Sequence, residues 1–131
     1  QKVLDLCVER VQGELASGIA KPDLQAEMFA LADMATQLYA ARQMLYSTAV
    51  KKDKGQNVTQ EASMTKIFCT ETASRIAGLA MDSFGEEGLL TRSRIEIFLR
   101  DVRLYRIYEG TSEIQRIIVS RNLLKNSRSR S

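Results

Sequence analysis

The sequence contains no histidine. That absence removes Ser-His-Asp and Cys-His nucleophile systems, histidine-ligated metal sites and the Glu-x-x-His pairs of di-iron bundles, so no metal centre is expected. Proline is confined to Pro22, which leaves long segments free of helix breakers. No stretch is apolar enough to span a bilayer, which takes about 20 consecutive apolar residues. No apolar leader follows Gln1-Lys2, so the chain is expected to be a fragment of a protein that is not secreted. Cysteine is limited to Cys7 and Cys69. Both sit among apolar neighbours at helical spacing, where reduced, buried thiols are expected in preference to a disulfide or a nucleophile. They fit the cytoplasm or the mitochondrial matrix. The net charge of +3 owes much to the terminal "KNSRSRS". No basic patch is interleaved with aromatic residues, so nucleic acid is not an expected partner.

What is present is a helical pattern. The 131 residues, 44% hydrophobic and 27% charged, suffice for one domain with its own core. Val3 or Leu4, Cys7 or Val8, Val11 and Leu15 recur at helical spacing and predict a first helix over residues 1 to about 17, stopping near Gly18. A second pattern runs from Leu24 through Met28, Leu31, Ala35, Leu38, Tyr39, Arg42, Leu45, Tyr46 and Ala49 to the charged stop "KKDKGQN", and should be about 40 Å long. Asn57 and Gln60 resemble a capping box opening a third helix through Met64, Ile67, Phe68, Ile76, Leu79 and Ala80 to Phe84-Gly85. After the polar loop "GEEG", Ser93 and Glu96 open a shorter helix with Ile95, Phe98, Leu99 and Val102 inward. Ser112 and Gln115 repeat the device before Ile114, Ile117, Ile118 and Leu124. The expected fold is all-α: an up-down helical bundle of four main helices plus one short helix, with residues 1–125 as the domain and 126–131 as a disordered basic tail.

Glu109 departs from the pattern. The other acidic residues fall on polar helix faces, in caps or in loops, but Glu109 follows the large side chains of "RLYRIY" and precedes Gly110. Two readings stay open: a solvated glutamate favoured by the dipole of the following helix, or a carboxylate raised in pKa by apolar neighbours and suited to general-base work. The N–H groups of Gly110-Thr111-Ser112, opening a helix, form a candidate site for an anion or a polar ligand.

The run "LRDVRLYRIYEGTSEIQRIIVSRNLL" strongly resembles the terminal segment of acyl-CoA dehydrogenases. The resemblance extends upstream through "ASMTKIFCTETASRIAGLAMDSFG" and "QAEMFALADMATQLYAARQMLY", over nearly the whole chain and about the last third of such an enzyme. It implies the α,β-dehydrogenation of an acyl-CoA thioester, in which a base removes the Cα proton while hydride leaves Cβ for FAD. The matching position makes Glu109 the base, the more common placement in the family, since some relatives carry it on the first helix of this domain. The resemblance assigns Glu109 and Gly110 to the thioester, Arg121 to the CoA moiety, and Thr111, Ser112, Glu113, Ile114 and Gln25 to FAD. It also implies upstream domains and a homo-oligomer.

Two stretches depart from the family pattern. An arginine and a phenylalanine that reach a neighbouring subunit's FAD are replaced by Glu14 and Ser17 in "GELASG". A later glutamine and Gly-Gly pair correspond to Asp82, Gly85 and Glu86 in "DSFGEEG". Acids beside a pyrophosphate turn attraction into repulsion. The alternative reading is therefore a non-catalytic helical association module derived from the same fold.

Overall fold

A computed structural model describes the backbone of residues 1–128 and the side chains of residues 1–125. Among the described residues the chain forms five α-helices and no strands. These are α1 (Lys2–Ala16), α2 (Gln25–Asp53), α3 (Thr59–Gly88), α4 (Arg94–Tyr105) and α5 (Ser112–Arg128), with a 3-10 turn over Lys21–Leu24. Residues 129–131 of the expected tail lie outside the described residues.

Local chemistry sets most of the boundaries. α1 ends at Ser17, and Gly18 takes a φ of +97° that a side chain would resist. This lets the Gly18 N–H bond the Leu15 carbonyl and the Ile19 N–H bond that of Glu14, a Schellman closure. Pro22 opens the 3-10 turn that the sequence presented only as a connection. Asn57 accepts from the Thr59 N–H and hydroxyl one residue ahead of the N-cap position, Val58, and the reciprocal bond from Gln60 expected of a box does not form. Ser93 likewise accepts from the Ile95 N–H, while Glu96 turns outward to pair with Arg100. α3 breaks at Gly85 as expected (φ +52°, ψ −135°), but the polar "GEEG" stretch then closes another helical turn instead of forming a loop.

α3 is the axis of the bundle and touches the four other helices. The core lies between α1, α2, α3 and α4, with Cys7, Met34, Ile76, Ala80 and Ile95 buried and Leu31, Leu38, Leu79 and Phe84 packed around them. α4 buries Ile95 and Val102 as expected. α5 does not keep its expected face: Ile114, Ile117 and Leu124 are exposed, whereas Ser112 and Gln115 are buried. Polar anchors on its first turn orient this helix, and Ile114 and Ile117 consequently face outward while Ile118 is half-buried. Much of the apolar pattern of α2 is also exposed, with Tyr39, Leu45 and Tyr46 each more than half accessible, as is Phe29 outside that pattern.

Candidate functional site

The connection from α4 to α5 carries Glu109. It is closed at its base by the Ser112 N–H, which donates to the Arg106 carbonyl at 3.1 Å. Inside this short loop Glu109 stands at a φ of +54°, the only non-glycine residue at positive φ among the described residues, and Gly110 follows at +93°. An L-residue in the left-handed region carries about 1–2 kcal/mol of strain, and such strain gathers where a side chain must be aimed. Gly110 is required by its φ, and an added Cβ, 2.6 Å from the Gln115 amide nitrogen, would also push that side-chain amide aside.

The Glu109 carboxylate makes no hydrogen bond or ion pair with the described residues. It lies in an open cleft of about 340 Å³ lined also by Lys66, Thr70, Tyr105 and Tyr108. The two tyrosine rings meet edge to face, with centroids 5.9 Å apart. Glu109 itself is exposed, and Tyr105 and Tyr108 are 42% and 50% accessible. The water-excluded surroundings expected for Glu109 are therefore not supplied by this chain, whose "RLYRIY" side chains flank it on one side and are themselves open to solvent.

Two residues of α3 that the sequence did not single out hold this loop. Lys66 Nζ donates to the Gly110 carbonyl at 2.7 Å. Glu71 Oε1 accepts from Arg106 Nε at 3.0 Å and from the Ser112 hydroxyl at 2.8 Å, with Arg116 at 3.7 Å. Burial pushes the Glu71 carboxyl up. The hydrogen bonds from Ser112 and Arg106 and the charges of Arg106 and Arg116 outweigh it and hold the group below its ordinary value. A signal was available: between Ala62 and Ala80 the only charged residues are Lys66, Glu71 and Arg75. Isolated charges in an otherwise weakly polar helix call for partners.

The start of α5 differs from its expected form by one residue. Thr111 is the cap, its hydroxyl accepting from the Ile114 N–H at 3.3 Å. Ser112 is 1% exposed and its hydroxyl is committed to Glu71. Gln115 does not close a capping box but donates to the Glu109 carbonyl at 3.4 Å. Glu113 is exposed; its own N–H, the Thr111 hydroxyl and Arg116 hold its carboxyl below the ordinary value despite a small opposing cost of desolvation. Ile114 and Arg121 are exposed on the same helix, and Gln25 is exposed at the first position of α2.

The second group of expected site residues gathers at the junction of α1 and α3. Arg10 pairs with Glu14 at 3.2 Å and with Glu87 at 2.7 Å, and its guanidinium stands 4.9 Å from the centre of the Phe84 ring. Ser17, Asp82, Gly85 and Glu86 are exposed or half-buried around this junction. Glu14 is thus partly neutralised by a cation one turn away, whereas Asp82 and Glu86 have no ion-pair partner among the described residues. No hydrogen bond or ion pair between described residues joins this group to the Glu109 loop.

Comparison with known proteins places these features in a family. The family model of the acyl-CoA dehydrogenase C-terminal domain matches residues 1–124. The chain is 41% identical over 129 residues to the mitochondrial short-chain specific acyl-CoA dehydrogenase of Bos taurus, covering 98% of this chain and 31% of that protein. It is 45% identical over 101 residues to a 3-(aryl)acrylate reductase of Clostridium sporogenes, covering 77% of this chain and 27% of that protein. Among solved structures, butyryl-CoA dehydrogenase of Megasphaera elsdenii superposes with a TM-score of 0.86 at 32% identity, covering 93% of this chain and 32% of that one. The chain spans about a third of the length of the curated relatives it matches. It belongs to the acyl-CoA dehydrogenase family, as that family's C-terminal helical domain.

Proposed function

We propose that the chain serves an FAD-dependent enzyme that dehydrogenates an acyl-CoA thioester between Cα and Cβ, and that Glu109 removes the Cα proton. The observation that carries this reading is the placement of Glu109: an unpartnered carboxylate at a strained φ, in a cleft, on a loop held from behind by charged residues. A carboxylate with a merely solvating role needs none of that strain. In this role Glu109 takes the proton on a carboxylate oxygen while its own backbone N–H polarises the thioester carbonyl. A hydrogen bond of that kind contributes on the order of 3 kcal/mol as negative charge develops on the oxygen. Gly110 continues the strained turn beside the thioester, and Arg121, exposed further along α5, suits the phosphates of CoA.

The edge formed by Thr111, Glu113 and Ile114 fits FAD, with accessible polar and apolar groups at a helix start. Ser112 reaches such a ligand through its backbone alone, because its hydroxyl is spent on Glu71. FAD supplies the acceptor for the Cβ hydride. The Glu14, Ser17, Asp82 and Glu86 surface does not fit a pyrophosphate, since it presents acids where cations and N–H groups are needed. That mismatch favours a second reading, in which the domain acts as an association module without the chemistry.

The remaining walls of the site are proposed to come from upstream domains and a second copy, which accords with the exposed Phe29, Tyr39, Tyr46, Ile107 and Tyr108. The chain alone, taken as a domain over residues 1–125, is then inactive. No helix among the described residues is long and apolar enough to cross a membrane. The free thiols of Cys7 and Cys69 suit a reducing compartment, the cytoplasm or the mitochondrial matrix.

The test is the longer protein that carries this chain. It should bind flavin and bleach on mixing with an acyl-CoA, and Glu109→Gln should slow the bleaching by about 10²–10⁴-fold while retaining flavin. A protein that holds no flavin, or whose bleaching is no slower after Glu109→Gln, sinks the catalytic reading.

A further inference from the structure

The Glu109 loop has no regular structure of its own and runs through two successive residues at positive φ. Contacts from outside must therefore hold it. α3 supplies them at two heights. At the base, Glu71 joins Arg106, the last residue before the loop, to Ser112, the first residue after it, at 3.0 and 2.8 Å. At the apex, Lys66 fixes the Gly110 carbonyl at 2.7 Å.

We propose that Glu71 and Lys66 are positioning residues for Glu109, setting the direction of its carboxylate by clamping the peptide groups around it. The inference rests on the reading of Glu109 as the base. Because a peptide group is planar and trans, anchoring the Gly110 oxygen also fixes the Thr111 N–H, which points the opposite way. Gln115 does the same one peptide earlier, through the Glu109 oxygen. With both carbonyls held, the loop cannot rotate its peptides to relieve the strain at Glu109, and the side chain stays aimed into its cleft. The clamps from α3 are charge-assisted, which makes each of them about twice as strong as a neutral hydrogen bond. Glu71 has a second effect. Arg106 and Arg116 both approach it, so neutralising this carboxylate leaves two guanidinium groups facing one another at the foot of the loop.

The experiment compares Glu71→Gln and Lys66→Met with Glu109→Gln and with Glu61→Gln, whose carboxylate pairs with Lys51 near the start of α3. Amide hydrogen exchange by NMR on this chain should quicken about tenfold or more at Ser112, whose N–H closes the loop on the Arg106 carbonyl, in the first two variants, with α1 and α2 unchanged. In the longer protein the same two variants should lose about 10- to 100-fold in kcat with KM nearly constant, the mark of a displaced base. Glu61→Gln should alter neither readout. Unchanged exchange in the loop overturns the proposal, as does faster exchange spread evenly over all helices, which marks a general loss of stability. Should Glu71→Gln fail to fold, Lys66→Met decides, since it removes only a half-exposed ammonium. Should Glu109→Gln react at the unmodified rate, the base assignment falls while the exchange data still decide the clamp.

Discussion

Replacing Glu109 by glycine should make the chain more stable. The carboxylate makes no hydrogen bond or ion pair among the described residues, and the backbone beneath it sits at a φ of +54°. A Cβ in the left-handed region costs about 1–2 kcal/mol, which glycine does not incur. Glycine also enlarges the unfolded ensemble and thereby gives back about 0.4–1 kcal/mol. The difference leaves a net gain of about 0.5–1 kcal/mol, or about 2–5 °C in Tm for a domain of this size. Glu109→Gln retains the Cβ and the strain, so it should stay within about 0.5 kcal/mol of the unmodified chain.

The assay is urea and thermal unfolding of this chain and both variants, followed by far-UV circular dichroism with the urea m-value checked for constancy. Stability gained by deleting a side chain indicates that the residue is retained for something other than folding. A loss of more than about 1 kcal/mol in Glu109→Gly would refute the reasoning, because it would show that the carboxylate or its conformation supports the fold.

Three further perturbations test neighbouring parts of the argument. Gly110→Ala should cost about 2 kcal/mol in urea unfolding, since its φ of +93° strains any side chain and the new Cβ displaces the buried Gln115 amide from the Glu109 carbonyl. Glu71 has its folded pKa below the ordinary 4.5, so its stabilisation is complete above that value and is lost as pH falls through the folded one. The deficit of Glu71→Gln should therefore be fully present near pH 7 and shrink as pH falls below 4.5, and a deficit that grows on acidification would contradict the assignment. Burial pushes the Cys7 thiol up to about 11 against the opposing pull of Arg10. A thiol reagent near pH 8 should then titrate Cys7 only on unfolding, and rapid labelling of both cysteines in the folded chain would show that the core around Cys7 is open.

The parts of the fold that were legible in the sequence are those decided within a few residues. Gly18 stops α1 because the Schellman closure is local, and Ser93 caps α4 for the same reason. The errors occur where a distant partner decides. Ser112 read as a cap because its spacing to Gln115 is that of a box, but Glu71, distant in sequence, takes its hydroxyl and the cap passes to Thr111. Once Ser112 and Gln115 face α3, helical geometry directs Ile114 and Ile117 outward, against the expectation that isoleucines turn inward. Glu109 stood out because an acid between Tyr108 and Gly110 is locally anomalous. Lys66 and Glu71 did not, because a charge on a helix is ordinary until its partner is known.

The exposed apolar residues and the polar clamp are two aspects of one arrangement. A helix with apolar residues on several sides is normally enclosed, yet α2 exposes Phe29, Tyr39, Leu45 and Tyr46, and α5 exposes Ile114, Ile117 and Leu124. The chain's own core uses the other sides of α2, through Met34 and Ala41, so the accessible parts of the α2 residues lie outside that core. Leaving their exposed parts, about half of each side chain, in water forgoes on the order of 1–1.5 kcal/mol apiece, recovered only by covering them. The loop adds exposed apolar residues of its own, Tyr108 and Ile107, with Leu104 just before it. If docking of a covering surface aimed Glu109, the loop would have no need of internal anchors before it docks. It has them in Lys66, Glu71 and Gln115. On the proposed reading of Glu109 as the base, these anchors let its own domain aim the carboxylate, and whatever covers the cleft has dryness rather than direction to supply, which would divide the two requirements of a strong base between two parts of the enzyme.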